Sequence, residues 1–302
     1  MKDFYTSDHA SAIEAQRRAQ EIVFGPVVFQ VARIMRNIGL LELLASPDAR
    51  DGRSLAEICE ILDRKRYVIQ LLVESALSSG IVYRHIGQQG ENDRYCLTKA
   101  GFFLYSDVMT NVLVDFVHDV CYSGLAKLDK ALETEKPEGL KLAGDWPTLY
   151  EALDSLPSPM RESWFRYDHY FSDCTFPEAL KIIFKQRPRK LLDLGGNTGK
   201  WALQCVAHSP QVQVTVMDLP QQIRLMRAEI EGKPGAERIQ GVAADFLDPR
   251  TSIPGGFDAV WMSQFLDCFS EDEIGSILER VAKSLGPGAT VYINEIFWDR
   301  QR

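Results

Sequence analysis

A glycine-rich segment near the middle of the chain constrains its fold more than any other feature. An apolar run at residues 191–194 contains Asp193, turns through Gly195-Gly196-Asn197-Thr198-Gly199, and continues with apolar residues at helical spacing. Glycine adopts positive φ at little steric cost, and asparagine tolerates it better than most residues. A strand, a glycine-rich turn and a helix in this order are typical of the first unit of a nucleotide-binding α/β sheet.

Other interpretations of this loop fit less well. A phosphate-binding Walker loop requires a glycine at the position of Leu194 and a Ser or Thr at the position of Trp201. The dinucleotide fingerprint G-x-G-x-x-G is also a poor match to residues 195–199. A tight turn with no ligand remains the alternative if the loop is considered alone.

Carboxylates at the ends of later strands favour a ligand. A second strand-like run ends at Asp218, and a third ends at Asp245, which Phe246 follows. The carboxyl ends of parallel strands lie at one edge of a sheet, and an acid about 20 residues after the glycine loop is placed to bind ribose hydroxyls. An acid beside an aromatic ring suits the amino group and ring face of adenine. Asp193 suits a ligand that carries positive charge, so the sequence predicts a nucleoside site.

These residues carry a family resemblance. Residues 193–199, 217–220, 244–246 and 257–273 resemble motifs of the S-adenosylmethionine-dependent O-methyltransferases, in matching order and spacing. The resemblance runs from about residue 15 to the last residue. Within that family, these motifs resemble the branch that includes plant phenolic methyltransferases, acetylserotonin methyltransferase and bacterial tailoring enzymes.

The resemblance implies a cofactor site for S-adenosylmethionine. The glycine loop would bind the methionine part, the second acid the ribose, the third acid the adenine, and the end of the fourth strand would lie beside the cofactor. The implied residues are Asp193, Gly195, Gly196, Asn197, Gly199, Asp218, Leu219, Asp245, Phe246, Met262 and Ser263.

The predicted fold class is α/β. We expect a winged-helix-like, α-helical dimerisation domain at residues 1–108, a helical linker and acceptor-pocket region at 109–188, and a Rossmann-like parallel-sheet domain at 189–302. A chain of 302 residues with 45% hydrophobic content can bury more than one core.

Composition narrows the class of partner and compartment. A net charge of −8 argues against a general nucleic-acid binder. No run reaches the roughly 18–20 apolar residues that span a bilayer, and the first residues lack the apolar core of a signal peptide. The six cysteines have no metal-type spacing and are typical of reduced thiols. We therefore expect a cytoplasmic protein without a membrane partner.

The first third of the chain predicts a small helical unit. Pro26 is expected to interrupt its first helix, Ser54 and Glu57 form a capping-box pattern, and Gly80 is expected to end a later helix. The predicted elements are helices at 15–44, from 54, and at 65–78, and strands at 81–85 and 94–97. This order suggests a winged helix.

A winged helix binds either DNA or protein. Its second helix begins with Arg64-Lys65-Arg66, which suits DNA, but the helix body is apolar on more than one face. That pattern favours burial in a partner over binding in a groove. The resembled family uses the module to dimerise, so we expect a homodimer.

An aromatic-rich stretch at residues 164–171 is expected to contribute to a pocket for a flat, small-molecule acceptor. The resembled family forms one wall of its acceptor pocket from this region. Ordinary helix packing accounts for most of these rings. We expect one or two of Phe165, Tyr167, His169 and Tyr170 to contact the substrate.

The expected reaction is displacement of the sulfonium methyl group by an oxygen of a small aromatic or polyketide-like metabolite. Alignment of the two reactants does much of the work, and a base helps when the acceptor is a phenol. The resembled family usually has a His as base after the Leu of its fourth-strand motif, but Asp267 occupies that position here. Either Asp267 acts as the base, with His169 nearby, or the base is lost and the protein acts by proximity or as a cofactor-binding regulator. Transfer to nitrogen or another atom also stays open.

The last predicted strand covers residues 289–296, after a turn at 286–288. The resembled fold continues with a helix and two further strands, one of which covers this strand. We expect the strand to lie at an exposed edge and part of the pocket roof to be absent, unless a partner subunit covers it. In the resembled family that further segment also carries residues of the acceptor pocket.

Overall fold

The computed structural model describes residues 7–85, 93–146, 148–153 and 155–297. The chain forms two compact units, residues 1–123 and 124–302. The region predicted as a linker, 109–188, is divided between the two.

The first unit is helical with a small antiparallel sheet. Its helices are α1 (Ala12–Asn37), α2 (Leu40–Ala45), α3 (Leu55–Leu62), α4 (Arg66–Ser78), α5 (Lys99–Ser106) and α6 (Val108–Phe116), and its strands are β1 (Arg53–Ser54), β2 (Val82–His85) and β3 (Arg94–Leu97). The strand order is β1-β3-β2. The predicted order of α3, α4 and a hairpin is confirmed, although most of the connection between the hairpin strands lies outside the described residues.

Local sequence signals explain where these helices begin. Ser11 and Glu14 form a capping box at the start of α1, and Ser54 and Glu57 form the predicted one at the start of α3. Gly80 has a φ of +71° directly after α4, as its role as a helix stop requires.

The prediction that Pro26 interrupts the first helix is wrong. Helix α1 continues through Pro26, and the break comes at Gly39, whose φ is +80°. Proline removes the backbone donor that would bond the carbonyl of Ile22, in a part of α1 where Ile22 is 65% exposed. The hydroxyl of Tyr122 donates to the carbonyl of Pro26 at 3.1 Å.

The core of the first unit is formed mainly by one face of each of the helices α1 to α4. Met35 of α1, Leu41 of α2, Ile58 of α3 and Ile69 of α4 are wholly buried together. In the described parts of the chain, no single helix has the length and apolar composition to cross a bilayer. Among the same residues, one pair of consecutive helices, Lys99–Ser106 and Val108–Cys121, has that length and composition when the two are taken together, but a bend of 75° separates them.

The second unit contains a five-stranded sheet flanked by helices. Its helices are α7 (Leu128–Thr134), α8 (Leu149–Ala152), α9 (Ser158–Asp173), α10 (Phe176–Ile183), α11 (Lys200–His208), α12 (Pro220–Ile230) and α13 (Glu271–Ser284). Its strands are β4 (Lys190–Leu194), β5 (Gln213–Asp218), β6 (Ile239–Ala243), β7 (Phe257–Ser263) and β8 (Leu285–Asn294).

The order of these strands positions a binding site. All pairs are parallel and the order is β6-β5-β4-β7-β8, so the chain builds outward from β4 on one side and then on the other. The direction in which the chain adds strands to the sheet therefore reverses between β4 and β7. Ligands of open parallel sheets bind at such a switch point, beyond the carboxyl ends of the strands.

Both faces of the sheet are covered. On one face, Trp201 of α11 stacks on Trp261 of β7 with ring centroids 4.7 Å apart. On the other, Ile277 of α13 packs against Val260. The parallel strands are therefore apolar on both sides.

The last strand begins four residues earlier than predicted, at Leu285 instead of residue 289. Among the described residues β8 pairs with β7 alone and is the last strand of the sheet on that side. Ile293 of this strand is 42% exposed.

Candidate functional site

A cavity opens at the carboxyl edge of the sheet, at the switch point. The end of β4 and its glycine loop form its floor, the ends of β5 and β7 its sides, and one face of α9 closes over the loop. It contains an acidic end near the glycine loop and an aromatic end near residues 150, 164 and 269.

The glycine loop takes a conformation that few residue types allow. Gly195, Asn197 and Gly199 have φ of +73°, +47° and +77°, so both glycine and asparagine are used for left-handed backbone. A Cβ on Gly195 would lie 2.4 Å from the ring of Phe265, and one on Gly196 would lie 2.4 Å from Asp193 Oδ2. The loop therefore lies in direct contact with the strand ends below it.

Asp218 fastens the loop to β5. Its Oδ2 accepts the backbone N–H of Asn197 at 2.8 Å, and its Oδ1 accepts the backbone N–H of Leu219 at 2.7 Å. Burial raises the pKa of Asp218 to about 6, although both hydrogen bonds oppose the shift. One carboxylate thus fixes the loop and lines the cavity.

Asp193 lies beneath the same loop in the central strand. Its side chain is wholly buried, and Oδ2 has no hydrogen-bond partner in the protein. Burial, and secondarily the charge of Asp218, raise the pKa of Asp193 to about 8. A buried carboxylate oxygen without a partner is costly, so this position suits a ligand that brings positive charge or a donor.

Helix α9 contributes polar contacts that sequence reasoning missed. Asp168 Oδ2 accepts from the side-chain amide of Asn197 at 2.8 Å, and Asp173 Oδ2 accepts from Lys200 Nζ at 3.0 Å. Burial raises the pKa of Asp168 to about 6. The available signal was the four-residue spacing of Trp164, Asp168 and Ser172, which places three cavity residues on one face.

His169 lines the cavity as well, with Nε2 3.4 Å from Thr198 Oγ1. Burial, followed by the charge of Lys200, lowers the pKa of His169 to about 4. The imidazole is therefore neutral at pH 7.

The aromatic end of the cavity has its own polar pair. Tyr150 and Cys268 share a hydrogen bond of 2.7 Å, and Trp164 meets the Tyr150 ring edge-on with centroids 5.8 Å apart. Burial raises the pKa of Tyr150 and raises that of Cys268 to about 12, so both groups keep their protons at neutral pH. Rings with a few fixed polar atoms are typical of sites for small aromatic ligands.

Glu295 supports the turn after β7 from the end of β8. Its Oε1 accepts the backbone N–H groups of Phe265 and Leu266, each at 2.9 Å. Gln264, just before this turn, has a φ of +47° and lines the cavity. Neither residue was singled out from the sequence, because only the pairing of β7 with β8 brings them together.

The structure brings most of the predicted cofactor residues to one cavity. Those that line it are Asp193, Gly195, Gly196, Asn197, Asp218, Leu219, Asp245, Phe246 and Ser263. Gly199, at the start of α11, is absent from the lining. It lies against Met226 of α12, which an added Cβ on Gly199 would approach to 2.7 Å. Met262 is also absent, because it points into the core below the sheet and is wholly buried.

The predicted catalytic and acceptor residues are placed differently. Asp267 lies exposed on the short helical turn Leu266–Cys268 and does not line the cavity, whereas its neighbour Cys268 does. On α9, Phe165, Tyr167 and Tyr170 are also absent from the lining. The helical period explains the absence of Tyr167 and Tyr170, which lie on other faces of α9. Phe165 instead stacks on the ring of His169, with centroids 6.0 Å apart. Among the described residues, no cluster of His, Cys, Asp and Glu side chains is arranged to hold a metal ion.

Two family models match this chain. Residues 16–95 match a dimerisation2-like domain, and residues 172–302 match an O-methyltransferase domain. The chain therefore contains an O-methyltransferase domain, preceded by a dimerisation2-like domain. Its first unit therefore carries a dimerisation domain, and its sheet is that of the methyltransferase domain.

Individual relatives are similar over parts of their length. The 3-hydroxy-5-methyl-1-naphthoate 3-O-methyltransferase of Streptomyces sahachiroi is 31% identical over 46% of this chain and 39% of its own. O-demethylpuromycin-O-methyltransferase of Streptomyces alboniger is 22% identical over 96% of this chain and 74% of its own. The chain spans 39%, 24% and 22% of the three curated relatives that it matches at 31–33% identity.

Solved structures share the fold. The mitomycin 7-O-methyltransferase MmcR matches with a TM-score of 0.68 at 17% identity, over 95% of this chain and 81% of its own. Human N-acetylserotonin methyltransferase, solved in complex with S-adenosylmethionine, matches with a TM-score of 0.64 at 18% identity, over 95% and 81%. The methyltransferase SibL matches with a TM-score of 0.66 at 24% identity, over 90% and 78%.

Proposed function

We propose that this chain binds S-adenosylmethionine in the cavity at the switch point and transfers its methyl group to a hydroxyl of a small, flat aromatic acceptor. The observation that carries the proposal is the set of buried carboxylates around the glycine loop. Asp193 is wholly buried, Asp218 is partly enclosed beside it, and burial raises the pKa of each. A cationic ligand rich in hydroxyl groups relieves this cost.

The cavity residues fit the cofactor part by part. Asp218, already fixed by two backbone donors, is placed at the tip of the second strand to accept ribose hydroxyls. Phe246 and Asp245 follow β6 and suit the face and amino group of adenine. The unpartnered Oδ2 of Asp193 supports a positively charged group near the glycine loop.

The aromatic end of the cavity supports the choice of acceptor. Tyr150, Trp164 and Phe269 offer apolar area, and the side chains of Cys268 and Gln264 offer polar atoms. One curated relative is named for a hydroxynaphthoate, which is flat and carries a hydroxyl group. We therefore place hydroxynaphthoates and similar phenols first among acceptor candidates.

The chemistry asks little of the protein beyond alignment and removal of one proton. The acceptor oxygen attacks the methyl carbon as the carbon–sulfur bond breaks, and the sulfur keeps the electron pair. Holding the two reactants in line supplies much of the rate. The acceptor hydroxyl must also lose its proton, because an ordinary phenol has a pKa near 10.

We further propose that the chain acts as a homodimer through its dimerisation domain. The exposed side of α1 carries Ile22, Val23, Phe24 and Val27, each more than half exposed. Exposed apolar patches of this kind are typical of protein interfaces. The body of α4, by contrast, is buried in the core at Ile69, Leu72, Val73 and Ala76, which does not favour its use in a DNA groove.

Calorimetry with S-adenosylhomocysteine tests the cofactor assignment. Binding should be saturable, and Asp218→Ala should weaken it at least tenfold. Glu279→Ala, on an exposed face of α13, is the matched control and should leave the Kd within twofold. Equal affinities for Asp218→Ala and the wild type would overturn the ribose assignment.

A screen with methyl-labelled cofactor tests the reaction. The panel contains hydroxynaphthoates, simple phenols and the matching aromatic amines. Transfer to the hydroxyl compounds supports the proposal, whereas transfer to the amines alone would replace it with N-methylation. Saturable cofactor binding with no transfer to any compound would favour a binding protein over an enzyme.

A further inference from the structure

The proposed reaction needs a proton acceptor, and the residue expected from the sequence is poorly placed for it. Asp267 lies on an exposed turn and does not line the cavity. A base must lie within hydrogen-bond reach of the acceptor hydroxyl, which has to sit between the cofactor and the aromatic end.

Asp168 lies at that junction. One turn before it on α9, Trp164 belongs to the aromatic end, where it contacts Tyr150. Asp168 itself is bonded to Asn197 of the glycine loop, which belongs to the cofactor end. A residue with one neighbour in each part of the cavity is placed where the two reactants meet.

The carboxylate of Asp168 is held in a fixed orientation. Its Oδ2 accepts from the Asn197 amide at 2.8 Å, and the backbone of Asn197 is itself fixed by its N–H bond to Asp218. A carboxylate has about four lone-pair sites, so one such bond leaves capacity to accept a proton from a substrate.

The surroundings of Asp168 make it a stronger base than an ordinary aspartate. Burial raises its pKa to about 6, the bond from Asn197 opposes the shift, and the charges of Asp173, Asp267 and Asp218 add to it. These three acids come from its own helix, from the turn after β7 and from the tip of β5. Asp168 is thus ionised at pH 7, and its pKa is closer to that of a phenol than the pKa of an ordinary aspartate is.

The other titratable side chains at this point are less suited. His169 has its pKa lowered to about 4 by burial, so its imidazole is a weak proton acceptor. Tyr150 and Cys268 have their pKa values raised by burial and stay protonated.

We propose that Asp168 is the catalytic base, which takes the proton from the acceptor hydroxyl as that oxygen bonds to the methyl carbon. The proposal rests on the proposed function. The oxygen–hydrogen and sulfur–carbon bonds break, the oxygen–carbon bond forms, the proton passes to an oxygen of Asp168, and the sulfur leaves as the neutral thioether. Asp168 then releases the proton to water after the product departs.

Asp168→Asn separates this role from a structural one. The new amide oxygen can still accept from Asn197, so the loop keeps its contact while the basic group is lost. We expect kcat to fall at least 100-fold with the fastest hydroxyl acceptor of the screen, while the Kd for S-adenosylhomocysteine changes less than threefold. Asp267→Asn and Glu162→Gln, the latter on an exposed face of α9, should keep kcat within threefold of the wild type.

A pH profile gives a second readout. A base must be ionised, so kcat/KM of the wild type should rise with pH through about 6, the pKa of Asp168. This limb should disappear in Asp168→Asn and return in Asp168→Glu. A kcat for Asp168→Asn within threefold of the wild type, or an equal loss in Asp267→Asn, would overturn the proposal. Absence of cofactor binding by the wild type would instead overturn the proposed function, and this assignment with it.

Discussion

The two units of this protein depart from the usual partition of residues in opposite directions. The α/β unit buries acidic groups, since Asp193 is 2% exposed and the carboxylates of Asp168 and Asp218 are also enclosed. The N-terminal unit exposes apolar surface, since Ile22 and Val23 on α1 are 65% and 72% exposed. Both arrangements cost free energy in the isolated chain, because charge is better solvated and apolar surface better buried.

The difference indicates what each unit binds. A buried acidic cluster is relieved by a small ligand that brings positive charge and hydrogen-bond donors, and it offers little to a protein surface. An exposed apolar helix face is relieved by another apolar surface, and it offers nothing to a charged ligand. The family assignment, a methyltransferase domain and a dimerisation domain, agrees with this division.

The largest expected effect concerns the charge of Asp193. Its pKa is about 8 in the folded chain, against about 4 in an unfolded one, so between these values the folded chain holds a proton that the unfolded chain has lost. The free energy of unfolding of the ligand-free protein should therefore fall as pH rises from 4 to 8, by at most ~5 kcal/mol from this group. Asp193→Asn should make that fall smaller and weaken S-adenosylhomocysteine at least tenfold.

Urea denaturation at several pH values, with calorimetry at pH 7.5, measures both parts of this prediction. The prediction is wrong if Asp193→Asn binds S-adenosylhomocysteine normally and its free energy of unfolding has the same pH dependence as that of the wild type. The buried Asp193 would then not explain what the α/β unit binds.

The parts of the site that follow strand ends were predictable from the sequence. Asp193 and Asp218 close apolar runs, and the carboxyl ends of parallel strands must share an edge. Their meeting at the glycine loop therefore needed only the order of elements. The hairpin of the first unit and the stop at Gly80 were predictable from local strand and helix-end signals.

The parts that depend on packing were not predictable. Asp168 reaches the cavity because α9 closes on the loop with one particular face, and a helical stretch rich in rings on every side does not reveal that face. Asp267 matches its motif position but lies on a turn that exposes it. Pro26 lies inside α1, in an exposed part of the helix, and the sequence alone does not show which part of that helix is exposed.

Gly196→Ala tests whether ligand binding requires the glycine loop to keep its present position over Asp193. The added Cβ would lie 2.4 Å from Asp193 Oδ2 and 2.7 Å from Val216 Cγ1, so either the loop or the carboxylate must move. We expect a loss of roughly 1–3 kcal/mol in stability, as for overpacked cores, and at least tenfold weaker binding of S-adenosylhomocysteine. Thermal denaturation and calorimetry measure these effects. Normal binding by this variant would show that the loop is not in contact with the ligand.

Val27→Asp tests the other side of the comparison. Val27 is 56% exposed on α1, so the change should leave the fold of the monomer intact and place a charge in the apolar interface. We expect the dimer dissociation constant to rise at least 100-fold by sedimentation, with unchanged helical circular dichroism. Ile182→Asp, at a residue of α10 that is 52% exposed, is the matched control and should leave assembly unaffected. Equal dissociation of both variants, or of neither, would count against α1 as the interface.

Gly275→Ala is a control that changes stability at a position outside the cavity and outside the exposed apolar face of α1. This glycine lies on an exposed face of α13, has no atoms within 4 Å of an added Cβ, and does not line the cavity. Alanine loses less conformational freedom in a helix than glycine, so the free energy of unfolding should rise by about 0.5–1 kcal/mol. Binding of S-adenosylhomocysteine and assembly should not change. A loss of binding here would mean that the site responds to stability changes anywhere in the α/β unit, and the effects of Gly196→Ala and Asp193→Asn could then not be attributed to their contacts with the loop.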